Sequence, residues 1–219
     1  MTARDELARL LPELVEGYGA IRALLETDAA LPGSTKCLLV ATAAAARGAG
    51  ELAAERLRRG RELGASEAEI AVCAAALLLT RGEAACERLL GAAGGLRELP
   101  AARERSAADA TSYFLAYNQI DELPARLALL AERAPTAFEG YFRMHHAVLA
   151  SDPSTDLLAE LALCTVNTAE LAGAFAAVHA GHARRRGATD AQLIEAVLCA
   201  VPVAGVAAWA AGSAAVFPD

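Results

Sequence analysis

Pro12-Glu-Leu-Val-Glu16-Gly17-Tyr18 returns as Pro135-Thr-Ala-Phe-Glu139-Gly140-Tyr141, a shift of 123 residues. The same shift, without a gap, carries Thr42 to Thr165, Ala49-Gly50 to Ala172-Gly173, Gly64-Ala65 to Gly187-Ala188 and Gly82 to Gly205. A constant spacing held over about seventy residues marks a duplicated module rather than chance in an alanine-rich chain. The reading is one copy over residues 1–100 and a second over 115–219, joined by a polar linker over 101–114.

Each copy reads as the same string of helices. Alanine, the best helix former, dominates an apolar share of 55%, and aromatic residues make up only 5%. The fold class is therefore all-α, two helical modules packed as a pseudo-dimer, with small side chains allowing close helix contact. In the second copy one helix covers 136–150 and stops before Ser151-Asp152-Pro153, and the next covers 156–166. Asn167-Thr-Ala-Glu170 reads as a capping box opening the helix that Arg184, Arg185, Arg186 and Gly187 close. Thr189-Asp-Ala-Gln192 opens another, as Ser66-Glu-Ala-Glu69 does in the first copy.

Charge and composition narrow the partners. With 20 basic against 27 acidic side chains, the formal charge of −7 argues against nucleic acid, whose phosphates need a basic surface. Residues 196–217 carry no charge, but Pro202 and Gly205 interrupt them and alanine adds little to insertion, so they read as a broken core helix pair and not a membrane span. Cys37, Cys73, Cys86, Cys164 and Cys199 form an odd set without a C-x-x-C spacing, mostly inside apolar runs. They read as buried reduced thiols of a cytoplasmic chain, whose opening residues are acidic where a secretion signal would be basic.

All four histidines, His145, His146, His179 and His182, lie in the second copy, opposite Arg22, Ala23, Arg56 and Arg59 of the first. Acid–base work near neutral pH therefore falls to the second copy. His179 and His182, three residues apart, share a helix face, and antiparallel packing across a turn at 166–168 brings Glu160 back towards them. A carboxylate bonded to an imidazole fixes its tautomer and raises its basicity. Glu160, His179 and His182, with His145 or His146, also offer donors for a divalent ion, although helical zinc pairs are spaced four apart and not three.

The string Glu160 … Ala172-Gly-Ala-Phe175 … His179 … Gly187-Ala-Thr189-Asp-Ala-Gln192 resembles the carboxymuconolactone decarboxylase/alkylhydroperoxidase D-like family of helical modules. Ala134-Pro135 … Phe138-Glu139-Gly140-Tyr141-Phe142 and Val203-Ala204-Gly205 extend the resemblance, and residues 12–82 share it more weakly. Where the peroxidase branch carries two cysteines, this chain has Ala172 and Phe175, and in the first copy Ala49 and Leu52. Without a thiolate there, disulfide-cycling peroxidase activity is not expected. The first copy has Cys37 and Arg56 in place of the glutamate and histidine and reads as scaffold.

The resemblance implies a cofactor-independent lyase or isomerase that moves protons on, or decarboxylates, a small cyclic carbonyl or lactone compound. It puts His179 and Glu160 in the catalytic role, with no metal and no organic cofactor. His182, Tyr141, His146 and Asn167 are candidates for binding a carboxylate or lactone oxygen, and Phe175 for an apolar pocket wall. A non-catalytic binding or scaffold protein and a metal-dependent enzyme remain the alternatives. The family's assembly implies a homo-oligomer, a trimer or a dimer.

Overall fold

A computed structural model describes residues 3–98 and 106–218, and every regular element among them is a helix. The first half holds α1 (Ala3–Leu10), α2 (Pro12–Leu24), α3 (Gly33–Ala46), α4 (Gly50–Glu62), α5 (Glu67–Arg81) and α6 (Glu83–Ala93). The second holds α7 (Ala110–Asn118), α8 (Ala125–Arg133), α9 (Pro135–Leu149), α10 (Pro153–Ala169) and α11 (Gly173–Arg185). It ends with α12 (Asp190–Leu198), α13 (Val201–Ala204) and α14 (Val206–Val216).

Local chemistry sets the helix limits. The Ser66 and Thr189 hydroxyls accept from the backbone N–H of Glu69 and Gln192, whose side chains accept in return. Gly64 and Gly187, at φ +99° and +90°, take the left-handed backbone that precedes each of these caps. Gly82 and Gly205 likewise separate α5 from α6 and α13 from α14. The limits of α4 and α11, and of α6 and α14, fall 123 residues apart at both ends. Residues 196–217 are broken at Gly205 as expected, and no helix among the described residues is long and apolar enough to cross a membrane.

Two sequence expectations need correction. Helix α7 begins at Ala110, so the segment 101–114 is not linker throughout; residues 101–105 lie outside those described. Its Tyr113 and Phe114 are buried against Phe138 and Phe142 of α9, and that aromatic burial outweighs the polar composition around it. Asn167 is not a helix cap. Helix α10 runs on to Ala169, Asn167 Nδ2 donates to the Leu163 carbonyl at 2.7 Å, and Ala172 caps α11 with no side-chain bond. A partly buried side-chain partner, Arg81, makes a mid-helix position tolerable for Asn167.

Helices α3 and α10 are apolar nearly all round and form the centre, each packed on α5 and on the other. Lys36 on α3, wholly buried, lies 3.1 Å from Glu195 on α12, which also accepts from the Ala30 and Leu31 N–H groups. Small residues permit the tightest contacts: a Cβ on Gly212 of α14 would stand 2.6 Å from Thr168 Cγ2 and 3.0 Å from Val197 Cγ1. Gly212→Val is therefore expected to destabilise the chain by about 1–3 kcal/mol through overpacking. A lower urea midpoint at unchanged slope is the result expected.

Candidate functional site

Four helices converge on one buried carboxylate. Glu160 sits mid-way along α10, and the turn at 170–172, with Leu171 at φ +59°, sends α11 back alongside it. His179, His182 and the capping residue Arg186 then fall on one face of α11. Helix α9 adds Tyr141 and His145 four residues apart, and α7 adds Tyr113 and Tyr117 at the same spacing.

Glu160 is 0% exposed. Its Oε2 lies 2.8 Å from His179 Nδ1, and its Oε1 accepts from the Tyr117 hydroxyl. His182 Nδ1 and Arg186 Nη1 each stand 3.3 Å from Oε1. The His182 nitrogen is out of line for a full hydrogen bond. Burial raises the Glu160 carboxyl, but the His179 and His182 imidazoles against it outweigh that and hold it at about 2. It is a carboxylate at neutral pH. Burial and the Glu160 charge push the Tyr117 hydroxyl up, so it stays a donor. Arg186 is fixed by the Leu149 carbonyl at 2.6 Å and lies 5.0 Å over the Tyr117 ring.

His179 and His182 border a cavity of about 590 Å³, with Glu160, Tyr117 and Arg186 behind them. His145, His179 and His182 line it together with Tyr141, Asn167, Ala172 and Phe175, and α5 of the first half adds Leu79, Thr80 and Arg81. Arg81 is tied to Glu170 at 2.6 Å and to Asn167 Oδ1 at 2.9 Å. Phe175 (58% exposed) and Val178 stand at the rim. Five of the residues singled out beside Glu160 and His179 fare unequally. His182, Tyr141, Asn167 and Phe175 reach the cavity, although Asn167 is already engaged at both ends of its amide. His146 does not. It packs half-buried on Tyr113 and Phe142, because neighbours on a helix diverge by about 100° and the Tyr141–His145 face is the one turned inward.

Sequence reasoning missed Tyr117, Tyr113, Arg186 and Arg81 and named His145 only as a metal donor. The Tyr113/Tyr117 and Tyr141/His145 spacings were the available signal. The cysteines stay clear of the cavity: Cys73 and Cys164 are pushed up to about 12 by burial, and the positions aligned with the peroxidase thiols are Ala172 and Phe175 on the wall. Glu160, His179 and His182 place donor atoms within 4.8 Å of one another. The Arg186 guanidinium and the Tyr117 hydroxyl already occupy Oε1, which sets a positive charge where a cation would need to sit. In the first half the corresponding positions hold Cys37, a buried free thiol, and Arg56 and Arg59, which are ion-paired: Arg56 contacts Glu26 at 2.7 Å and Glu55 at 2.6 Å.

His145 gives the site a pH signature. Burial pushes its imidazole down from 6.5 to about 3, against the pull of the Glu160 charge. The unfolded chain binds that proton more readily, so the stability contribution is complete above pH 6.5 and declines as pH falls towards 3. About 2 kcal/mol of it is gone by pH 5. Glu160, depressed from 4.5, adds its own loss only below pH 4.5. Urea unfolding at pH 7.5, 6 and 5 is expected to show falling stability, with the slope flattened in His145→Gln.

The fold and the site together define a class: an all-helical protein with a thiol-free carboxylate–imidazole pair at an internal cavity. No protein-family model matches the chain, and no curated protein matches it. It shares its fold with the crystal structure of a candidate gamma-carboxymuconolactone decarboxylase subunit from Burkholderia xenovorans LB400, at a TM-score of 0.62 and 22% identity. The match covers 96% of this chain and 88% of that one.

Proposed function

We propose that the chain is a cofactor-independent lyase or isomerase that transfers protons on a small cyclic carbonyl or lactone compound. The observation that carries this is the 2.8 Å contact between Nδ1 of His179, which lines the cavity, and Oε2 of Glu160 buried behind it. With Nδ1–H donated to the carboxylate, a neutral His179 keeps its lone pair on Nε2. That atom has no hydrogen-bond partner and is not among the buried unpartnered atoms, so it is open to the cavity. Glu160 orients the ring and stabilises the imidazolium that forms when Nε2 takes a proton. The name of the similar crystal structure, a decarboxylase subunit, agrees with this chemistry.

The helix limits repeated at a shift of 123 support two modules, 1–100 and 115–219, packed as a pseudo-dimer, with α7 as an addition to the second. The exposed Phe175 and Val178 at the cavity rim, with the exposed Leu171 on the turn before α11, favour a homo-oligomer, a trimer or a dimer. The test is hydrogen exchange. Enolisable cyclic ketones, β-keto acids and lactones are incubated in D₂O with the protein, and loss of the α C–H signal is followed by proton NMR. Exchange is expected with at least one class and is expected to fall roughly 10²–10⁴-fold in His179→Ala. Failure of every compound to exchange above the buffer rate favours the binding or scaffold reading. Exchange abolished by a chelator and restored by a divalent metal favours the metal-dependent one.

A further inference from the structure

His145 lines the cavity but has no part in the proton-transfer reading. Its Nδ1 lies 2.8 Å from the Tyr113 hydroxyl, and both side chains are buried. Among the described residues the phenol has no other hydrogen-bond acceptor, so its O–H donates to Nδ1, and the imidazole hydrogen of a neutral ring sits on Nε2. Tyr113 is outside the cavity wall whereas His145 is part of it. Nε2 makes no hydrogen bond and is not among the buried unpartnered atoms, so it too opens on the cavity. Tyr117, Phe114 and Tyr141 enclose the ring edge-on, at centroid distances of 4.6, 5.2 and 5.6 Å, and hold its orientation.

We propose that His145 is a second catalytic residue, a neutral imidazole whose Nε2 hydrogen holds the oxygen on which negative charge gathers when His179 removes a proton. The proposal rests on the proton-transfer reading of the same cavity. In the step, the C–H bond beside the carbonyl breaks and its proton passes to His179 Nε2. The electron pair forms a C=C bond, and the carbonyl π pair moves to the oxygen facing His145. Returning the proton to the same carbon gives exchange, and where a C=C is conjugated with the enolate, returning it to the far carbon completes an isomerisation with no further reactant. A donor in place before charge develops stabilises the enolate without reorganisation. The ring must resist protonation to keep this role. The charged or titratable groups around it are Tyr113 and Tyr117 from α7, Tyr141 from α9, Glu160 from α10, and His179, His182 and Arg186 from α11. Burial, helped by the Arg186 charge and by the His182 and His179 imidazoles, outweighs Glu160, the one group among them that favours the proton, and the ring stays neutral.

The test is nitrogen NMR of chain labelled with ¹⁵N-histidine, its four imidazoles assigned by single His→Gln substitutions. His145 is expected as the Nε2–H tautomer at pH 7, unchanged down to pH 5, and Tyr113→Phe is expected to release that fixed tautomer. An Nδ1–H tautomer or an imidazolium at pH 7 overturns the proposal. The His179 signal in the same spectra reports its bond to Glu160 separately, so loss of that bond sinks the proton-transfer reading without touching His145. As a second measurement, 4-nitrophenolate serves as the oxyanion probe and its absorbance reports binding. Binding is expected to weaken tenfold or more in His145→Phe and to be partly kept in His145→Gln, which retains a donor. Equal binding by His145→Phe, or no binding by the unsubstituted chain, overturns it.

Discussion

Glu160→Gln is expected to lower proton exchange on the responsive carbonyl compound by roughly 10²–10⁴-fold while the chain remains folded. Glutamine has the same shape. Its amide oxygen can still accept from His179 Nδ1, and its NH₂ can donate to the Tyr117 oxygen, so the Tyr117 O–H loses its acceptor but its oxygen stays bonded. What vanishes is the negative charge. His179 then has nothing to stabilise its imidazolium, and Arg186, which stands 3.3 Å from the Glu160 carboxylate, loses its counter-charge and opposes protonation. The decisive comparison is kcat against KM. A group acting on His179 lowers kcat and leaves KM nearly unchanged, whereas a group binding substrate moves KM. Glu160→Leu is expected to unfold much of the chain instead, since Tyr117, His179 and Arg186 would all be orphaned around an apolar side chain.

The parts of this site that were legible in the sequence are those fixed by one helix hairpin. Glu160 and His179 belong to consecutive helices joined by a short turn, so spacing alone brings them together. The structure places His145 and not His146 on the inner face because α9 is rotated by its contacts with α7, and sequence cannot fix a rotation set by a partner helix. Tyr113 and Tyr117 were lost with α7 itself, which is too short to announce a period and follows a polar stretch. Arg186 was read as a helix-end cation. That reading was correct locally and blind to Glu160, because a long side chain at a helix end reaches groups that no pattern along its own helix records. Arg81 comes from the other half of the chain. Only the packing of α5 on α10 delivers it to the cavity.

Glu195→Ala is expected to cost about 3–5 kcal/mol, enough to leave many single domains unfolded at physiological temperature. Glu195 is 9% exposed and does two jobs. Its oxygens accept from Ala30 N at 3.1 Å and Leu31 N at 2.9 Å, pinning the loop before α3, and Oε2 faces Lys36 Nζ at 3.1 Å. Lys36 is 0% exposed and its ammonium has no aligned hydrogen bond, so Glu195 is its counter-charge and nothing else replaces it. The two jobs separate by substitution. Glu195→Gln keeps an acceptor for the loop but strands the ammonium. Lys36→Met removes the ammonium but leaves the carboxylate bonded to the loop and near solvent. Lys36→Met is therefore expected to cost less than Glu195→Gln, and the pair Lys36→Met/Glu195→Gln to recover most of the Gln loss, because an apolar side chain in an apolar place has no charge to compensate. Urea unfolding of the four chains as a double-mutant cycle reads this directly. If Lys36→Met proves as costly as Glu195→Ala, the ion pair itself is what joins α3 to α12; a recovered double variant instead makes the loop bonds the source of stability.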